Sequence, residues 1–335
     1  MYVGEDIFRV ATTREAAKAV FSKSVSRVEV ETHSFCNRRC NYCPNVVGDR
    51  LGQNKQMNLD HWKLILSDLA EIDFSGNFVF TSYNEPLADR SILERLAEAR
   101  AACPNARLMI YTNGDYLNAT YLDEIASAGL DYLHVSIHTR HNGQYSDIDA
   151  LNLIAKLERR IKRPITYKTL RPGNFVVAAM PHPSLEVEVR AINYNQHDTD
   201  RAGLVDVVKT PPARMAPCHF PFAHFHVGFS GNVTPCCHIR SDAAEHAQFL
   251  YGNLSAFGSI YEVWASQVGA AWRRELISPL PKRSPCNTCS VGFLDGTEGS
   301  RAQAELVWKR LIAAGVVPSP ETDADSHHRN TGATT

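Results

Sequence analysis

Cys36-Asn37-Arg38-Arg39-Cys40-Asn41-Tyr42-Cys43-Pro44 puts three thiols within eight residues, just downstream of Val28-Glu29-Val30-Glu31. The alternating run reads as a β-strand and the thiols as the loop after it. A strand–helix rhythm follows. Residues 58–71 carry Leu59, Trp62, Leu66 and Leu69 near helical spacing behind a capping Asn58. Residues 77–81 read as a strand, 91–102 as a helix opened by Ser91, and 108–111 as a strand closed by Thr112-Asn113-Gly114. A helix is predicted at 120–128, capped by Thr120 and stopped by Gly129, then a strand at 132–137 and a helix at 148–162. Two further strand candidates lie at 165–180 and 185–194.

Strands alternating with helices imply βαβ units and a parallel sheet. At roughly 30 residues per unit, residues 26–205 hold about six. That is too few to close an eight-stranded barrel, so the expected fold is α/β, an open, partial (βα)6 barrel. Ligands of such sheets bind at the carboxyl ends of the strands. From 211 the texture becomes irregular, with Pro211, Pro212, Pro217, Pro221, Pro235, Pro279, Pro281 and Pro285, and a segment of this kind needs a staple. The expected divisions are 1–25 as an N-terminal segment, 26–210 as the barrel, 211–317 as an irregular domain with a C-terminal helix, and 318–335 as a disordered tail. The C-terminal helix is expected near 300–314, with Ala304, Leu306, Val307 and Leu311 packing back on the barrel.

The chain has 335 residues, 44% of them apolar and 21% charged, which is globular composition. A net charge of -1 gives no support for a nucleic-acid partner. The N-terminus has no signal-peptide run and no stretch is long and apolar enough to span a membrane, so a soluble, cytoplasmic protein is expected. In a reducing compartment, thiols are better read as ligands or catalysts than as disulfides. The nine cysteines cluster accordingly: 36, 40 and 43, then 218, 236, 237, 286 and 289, with Cys103 alone and read as a buried helix-end residue. Three thiolates in one loop can hold three irons of a cubane cluster and leave the fourth open to an external ligand. The alternative is three of four zinc ligands, although no fourth lies at finger spacing.

C-x3-C-x2-C in the loop after the first strand resembles the radical S-adenosylmethionine (radical SAM) enzymes. The resemblance covers roughly residues 26–205. It implies a [4Fe-4S] cluster on Cys36, Cys40 and Cys43. S-adenosylmethionine would chelate the open iron and be cleaved to a radical that takes a hydrogen atom from substrate. Tyr42 matches the family's aromatic residue. Asn84-Glu85-Pro86 matches a segment that contacts the methionine amine, Asn113 lies in a typical Thr-Asn-Gly, and Ser136 sits where the family contacts ribose or carboxylate. Read without the family, Glu85 begins a loop before Pro86 and Ser136 is a polar strand residue.

Cys218, Gly231, Cys236 and Cys286-Asn287-Thr288-Cys289 resemble the SPASM extension in its shortened, twitch form. That form implies one auxiliary [4Fe-4S] cluster, fully ligated by Cys218, Cys236, Cys286 and Cys289. Residues 229–233 are expected to make a hairpin that brings Cys218 and Cys236 together. A four-cysteine zinc site is the alternative, and Cys237 could replace Cys236 as ligand. Twitch enzymes of aminoglycoside pathways either oxidise an alcohol or invert a carbon with a cysteine donor. Counting seven ligands leaves Cys103 and Cys237, so Cys237 is the candidate hydrogen donor of an epimerase. A dehydrogenase or a peptide-modifying enzyme are the alternatives. The short N-terminal segment favours a small polar substrate: a sugar, aminocyclitol or nucleoside. The resemblance also implies an external one-electron reductant of flavodoxin or ferredoxin type.

Overall fold

The computed structural model describes residues 4–139, 144–197, 199–206, 214–291 and 298–317. Ten strands form one sheet: β1 (Arg27–Val30), β2 (Asn77–Val79), β3 (Arg107–Thr112), β4 (Tyr132–Ile137), β5 (Thr166–Arg171), β6 (Phe175–Met180), β7 (Glu186–Ile192), β8 (His224–Val227), β9 (Asn232–Thr234) and β10 (Gly252–Asn253). Their order is β10-β9-β8-β1-β2-β3-β4-β7-β6-β5. The stretch from β8 to β7 is parallel throughout. Helices α1 (Arg14–Ser24), α2 (Leu59–Glu71), α3 (Ile92–Ala102), α4 (Ala119–Ser127) and α5 (Asp147–Ile161) accompany the first half of the sheet. The chain is thus α/β, and its six parallel strands fit an open, partial barrel.

Alternation explains the two faces. Val28, Phe78, Leu108, Leu133, Val135, Val187 and Val189 are buried in one apolar core with Trp62, Ile65, Leu96, Ile125 and Ile154 of the helices. The intervening positions, which include Arg27, Glu29, Tyr111, His134 and Glu188, form the opposite, polar face. A strand buried on both faces would be apolar throughout. This one is not, because its second face lines a lumen.

Several expectations change. The sixth parallel strand is β8, which follows residue 211 and yet pairs with β1 from Arg27↔His224 to Val30↔Val227. The irregular segment therefore shares the barrel's sheet. The single strand candidate at 165–180 is a hairpin: Gly173 at φ 72 turns the chain, and β5 and β6 pair antiparallel. The helix expected to open at Thr120 opens at Ala119, because Asn118 accepts from the Tyr121 amide and is the cap. Ser91 precedes α3 but makes no side-chain cap. In α7 (Glu298–Ala313), Val307 and Leu311 are buried while Leu306 is 64% exposed, so Leu306 is off the packed face, and the helix rests on α6 (Gln267–Ile277). Cys103 caps the end of α3 and is buried, as read. Pro211, Pro212 and the tail 318–335 lie outside the described residues, as does the side chain of Ala304.

The N-terminal segment is not an appendage. Thr13 caps α1 through the Ala16 amide, and Phe21 of α1 packs edge-on against Phe225, Tyr261 and Trp264. Removing such an aromatic from a full core costs about 3–5 kcal/mol. Arg273, fully buried, donates to the Ile7 carbonyl and fastens the same segment to α6. Among the described residues, no helix is long and apolar enough to cross a membrane.

Candidate active site

A cavity of about 290 Å³ opens at the carboxyl ends of β1 to β4. Cys36, Cys40 and Cys43 stand on its wall, and Tyr42, Asn84, Glu85, Asn113, Ser136 and Cys237 line it too. The structure brings together every residue that the first motif implied, plus Cys237.

The cysteine loop is built by local bonds. Cys36 N–H donates to the Arg50 carbonyl at 3.0 Å, and Cys43 N–H closes a turn on the Cys40 carbonyl at 2.9 Å. Pro44 then starts a short 3-10 turn, Pro44–Val46. The loop after β3 braces it: Asp115 takes a bidentate pair from Arg38 at 2.7 and 2.6 Å and a bond from Asn37 at 2.8 Å. Asn113 donates to Asn37 at 2.8 Å. The Tyr42 hydroxyl lies 2.6 Å from His138 Nδ1, and its ring stacks on Tyr194 with centroids 4.4 Å apart.

Cys36, Cys40 and Cys43 are in no disulfide. Burial pushes Cys36 up to about 12 and Cys40 to about 11. Thiols in that state become thiolates when a cation arrives to take their charge. A tetrahedral zinc would need sulfurs about 3.8 Å apart, whereas a cubane gives each thiolate its own iron and spreads them. Among the described residues, no group of three His, Cys, Asp or Glu side chains is gathered to hold a single ion. The donor set fits a cluster with one open corner. Asn84 Nδ2 is buried and makes no hydrogen bond, so one donor beside the thiols is left for a ligand.

Glu85 has a second occupation. Its carboxylate accepts from the Leu87 amide at 3.0 Å, the Thr112 hydroxyl at 2.5 Å and the Asn113 amide at 2.7 Å. It therefore caps the turn Pro86–Ala88 and ties it to the end of β3, while still lining the cavity. Burial raises its pKa to about 7, against the pull of those donors.

The second set of thiols is gathered elsewhere. Gly231, at φ 83, turns the β8–β9 hairpin that carries Cys236 toward Cys218. Burial raises the pKa of Cys236, and its neighbour Cys237 and the nearby Cys286, Cys218 and Cys289 raise it further. Cys286 and Cys289 share a turn, with Cys289 N–H on the Cys286 carbonyl. Cys237 points the other way. After burial, its strongest influence is Glu29, followed by Arg201 and Arg27, all on the cavity wall. Adjacency in sequence left the choice between Cys236 and Cys237 open; Cys236 lies near Cys218, Cys286 and Cys289, whereas Cys237 lines the cavity.

Sequence reading missed the floor. Arg27, Glu29, Tyr83, Tyr111, His138 and Arg201 line the cavity. Glu29 is held ionised: burial would raise its pKa, but His226 and Arg27 outweigh burial and bring it to about 2. The alternation of charged with apolar residues at 27–31 was the available signal.

Residues 30–170 match a model described as the radical SAM superfamily, and residues 218–290 match an iron–sulfur cluster-binding (SPASM) domain. The PqqA peptide cyclase of Bradyrhizobium diazoefficiens is 32% identical over 302 residues, 84% of this chain and 71% of that one. The chain belongs to the radical SAM family. Its cofactors are accordingly S-adenosylmethionine and [4Fe-4S] clusters. Another radical SAM relative, the S-adenosyl-L-methionine-dependent 2-deoxy-scyllo-inosamine dehydrogenase of Niallia circulans, is 27% identical over 273 residues, 80% of this chain and 95% of that one. The solved structure of BtrN in complex with AdoMet and 2-DOIA matches with a TM-score of 0.55 at 24% identity, covering 80% of this chain and 93% of that one. That structural likeness concerns the fold.

Proposed function

We propose that this radical SAM enzyme oxidises a secondary alcohol of a small polar substrate to a ketone, with a sugar, aminocyclitol or nucleoside as the substrate class. The observation that carries this is the cavity: about 290 Å³, walled by three thiols at one side and by Arg27, Glu29 and Ser136 at the other. The cavity is shared with S-adenosylmethionine, and the charges of Arg27 and Glu29 suit the hydroxyl or amino groups of a substrate beside it. The likeness to a dehydrogenase over nearly its whole length supports the same reading.

In this reading Cys36, Cys40 and Cys43 hold the first cluster, and Cys218, Cys236, Cys286 and Cys289 the auxiliary one. When bound, these groups would supply a deoxyadenosyl radical that removes a hydrogen atom from carbon, and an acceptor for one electron. Tyr42, Asn84, Glu85, Asn113 and Ser136 bind and orient S-adenosylmethionine, Asn84 through its unpaired amide. Glu29 and Arg27 position the substrate's polar groups below. Residues 26–206 carry most of the radical site, and the segment from 214 adds β8 to its sheet and Cys237 to its wall. An external one-electron reductant starts each cycle.

Epimerisation is the second reading, favoured by the Cys237 thiol, which lines the cavity. The thiol S–H would return a hydrogen atom to the opposite face of the substrate carbon. Turnover in deuterated water separates the two. The proposal expects a ketone and no solvent label at the reacting carbon. One deuterium on an inverted carbon would replace it with the second reading. 2-Deoxy-scyllo-inosamine is the first substrate to try.

A further inference from the structure

Arg214 is a buried cation with no counter-ion in the protein. It is 6% exposed. Nε donates to the Ala216 carbonyl at 2.8 Å and Nη2 to the Pro217 carbonyl at 2.7 Å, just before Cys218. Its backbone amide donates to the Asn287 carbonyl at 2.8 Å, between Cys286 and Cys289, and its own carbonyl accepts from the Lys282 amide at 2.9 Å. Arg214 therefore joins the two segments that bring three of the four auxiliary thiols. Among the described residues no carboxylate pairs with it, and its Nη1 has no oxygen acceptor.

The other buried arginines are answered differently. Arg50 and Arg240 meet carboxylates, and Arg273, which also bonds only to carbonyls, lies over the Trp264 ring at 4.1 Å. A desolvated cation is costly unless an opposite charge answers it. Beside Arg214 that charge belongs to the thiols. Burial pushes Cys218 and Cys286 up, and Arg214 opposes the push at both. A guanidinium keeps its proton at every working pH, so this positive charge is fixed. A cubane on four thiolates is an anion, and reduction adds one further negative charge. A fixed cation close to the sulfurs favours that addition.

We propose that Arg214 tunes the auxiliary cluster as an electron acceptor, its fixed charge stabilising the reduced form over the oxidised one and so raising the reduction potential. It rests on the assignment of Cys218, Cys236, Cys286 and Cys289 to that cluster, and it serves the alcohol-oxidation reading. Converting a secondary alcohol to a ketone removes a hydrogen atom from carbon, the hydroxyl proton and one electron. The hydrogen atom ends in deoxyadenosine. The O–H bond breaks as the C=O forms, the proton goes to water, and the one electron reduces the oxidised auxiliary cluster. Arg214 does not line the cavity, so it touches neither substrate nor S-adenosylmethionine. Its effect is on how readily the electron leaves the substrate radical.

The test is a redox titration followed by electron paramagnetic resonance. It uses the full-length chain with Cys36, Cys40 and Cys43 changed to Ala, so that the signal comes from the auxiliary cluster. Arg214→Gln removes the charge and can still donate to a carbonyl. It should make one-electron reduction about tenfold less favourable, a fall of about 59 mV in midpoint potential. Arg214→Lys keeps the charge and should keep the potential. An unchanged potential in Arg214→Gln, or an equal fall in Arg214→Lys, would overturn the tuning. If Arg214→Gln takes up no iron, Arg214→Lys decides by the same measure, and loss of iron from both would overturn the proposal, because the residue then holds the site together. No iron in the background chain would strike the cluster assignment and the proposal with it. A lowered potential in Arg214→Gln, with an inverted product and no ketone from the parent, would keep the tuning and overturn the oxidation reading.

Discussion

Arg240 Nη1 donates to the carbonyl of Pro44 at 2.6 Å. Arg240 follows the cysteines of the β8–β9 hairpin, and Pro44 follows the last thiol of the first loop. The Arg240 side chain is buried, and Asp242 takes its Nε at 2.7 Å while also accepting from Arg50 Nη2 at 2.8 Å. Arg50 continues to Glu31 at 2.7 Å and to the Ser34 carbonyl at 2.9 Å. The second segment thus grips both ends of the loop that carries the first three thiols. Arg240→Ala removes one partner of a buried ionic network, which typically costs about 3–5 kcal/mol. Thermal unfolding should show a loss of that order. Iron loading should fall mainly at the first site, and Arg240→Lys should recover only part of it, since an ammonium cannot reproduce the forked contact.

Changing Cys36, Cys40 and Cys43 together to Ala should take iron from about eight to about four per chain. Cleavage of S-adenosylmethionine should stop. Iron counting and deoxyadenosine assay check this, and cleavage by the triple variant would dispose of the radical site as assigned.

Glu85 gives a pH test. Its folded pKa of about 7 lies above the ordinary carboxylate value because of burial. A raised pKa favours the protonated form in the folded state. The corresponding stability is therefore complete below about pH 4.5 and lost as pH rises through about 7. Without ligand, the parent should lose stability across that window and Glu85→Gln should lose less. A cation in the cavity reverses the preference, so bound S-adenosylmethionine should flatten the parent's slope. Glu85→Ala should also weaken S-adenosylmethionine binding, because it frees the end of β3 as well as removing a carboxylate.

Cys237→Ala should leave the auxiliary iron in place, since Cys236 faces the other three thiols. Ketone formation should persist. If the parent inverts its substrate, the same variant should lose inversion.

The cysteine loop was legible because its information is local: three thiols, one turn, and a strand before it. Helices α2 to α5 were legible for the same reason, to within a residue or two of their caps, whereas Arg14–Ser24 and Gln267–Ile277 were not read. The cavity floor was not. Arg27 and Glu29 have the alternation of any half-exposed strand, and only closure of the sheet around them shows that their face is a lumen. His224 and His226 were hidden further, because no spacing rule places β8 beside β1. The separation of Cys236 from Cys237 needed the folded chain, since two adjacent residues in a turn after β9 carry no spacing signal.

The position of β8 also sets the order of assembly. Ser26 N–H and the Ala223 carbonyl bond at 2.8 Å, across a separation of 197 residues, at the edge where the first strand would otherwise lie open. During synthesis β1 emerges early and waits for a neighbour that is made much later. Contacts of such long range are slow to form and leave an uncovered strand edge in the meantime. Until residues 224–227 have been made, the chain has its first three thiols but lacks the strand that closes that side of the chamber.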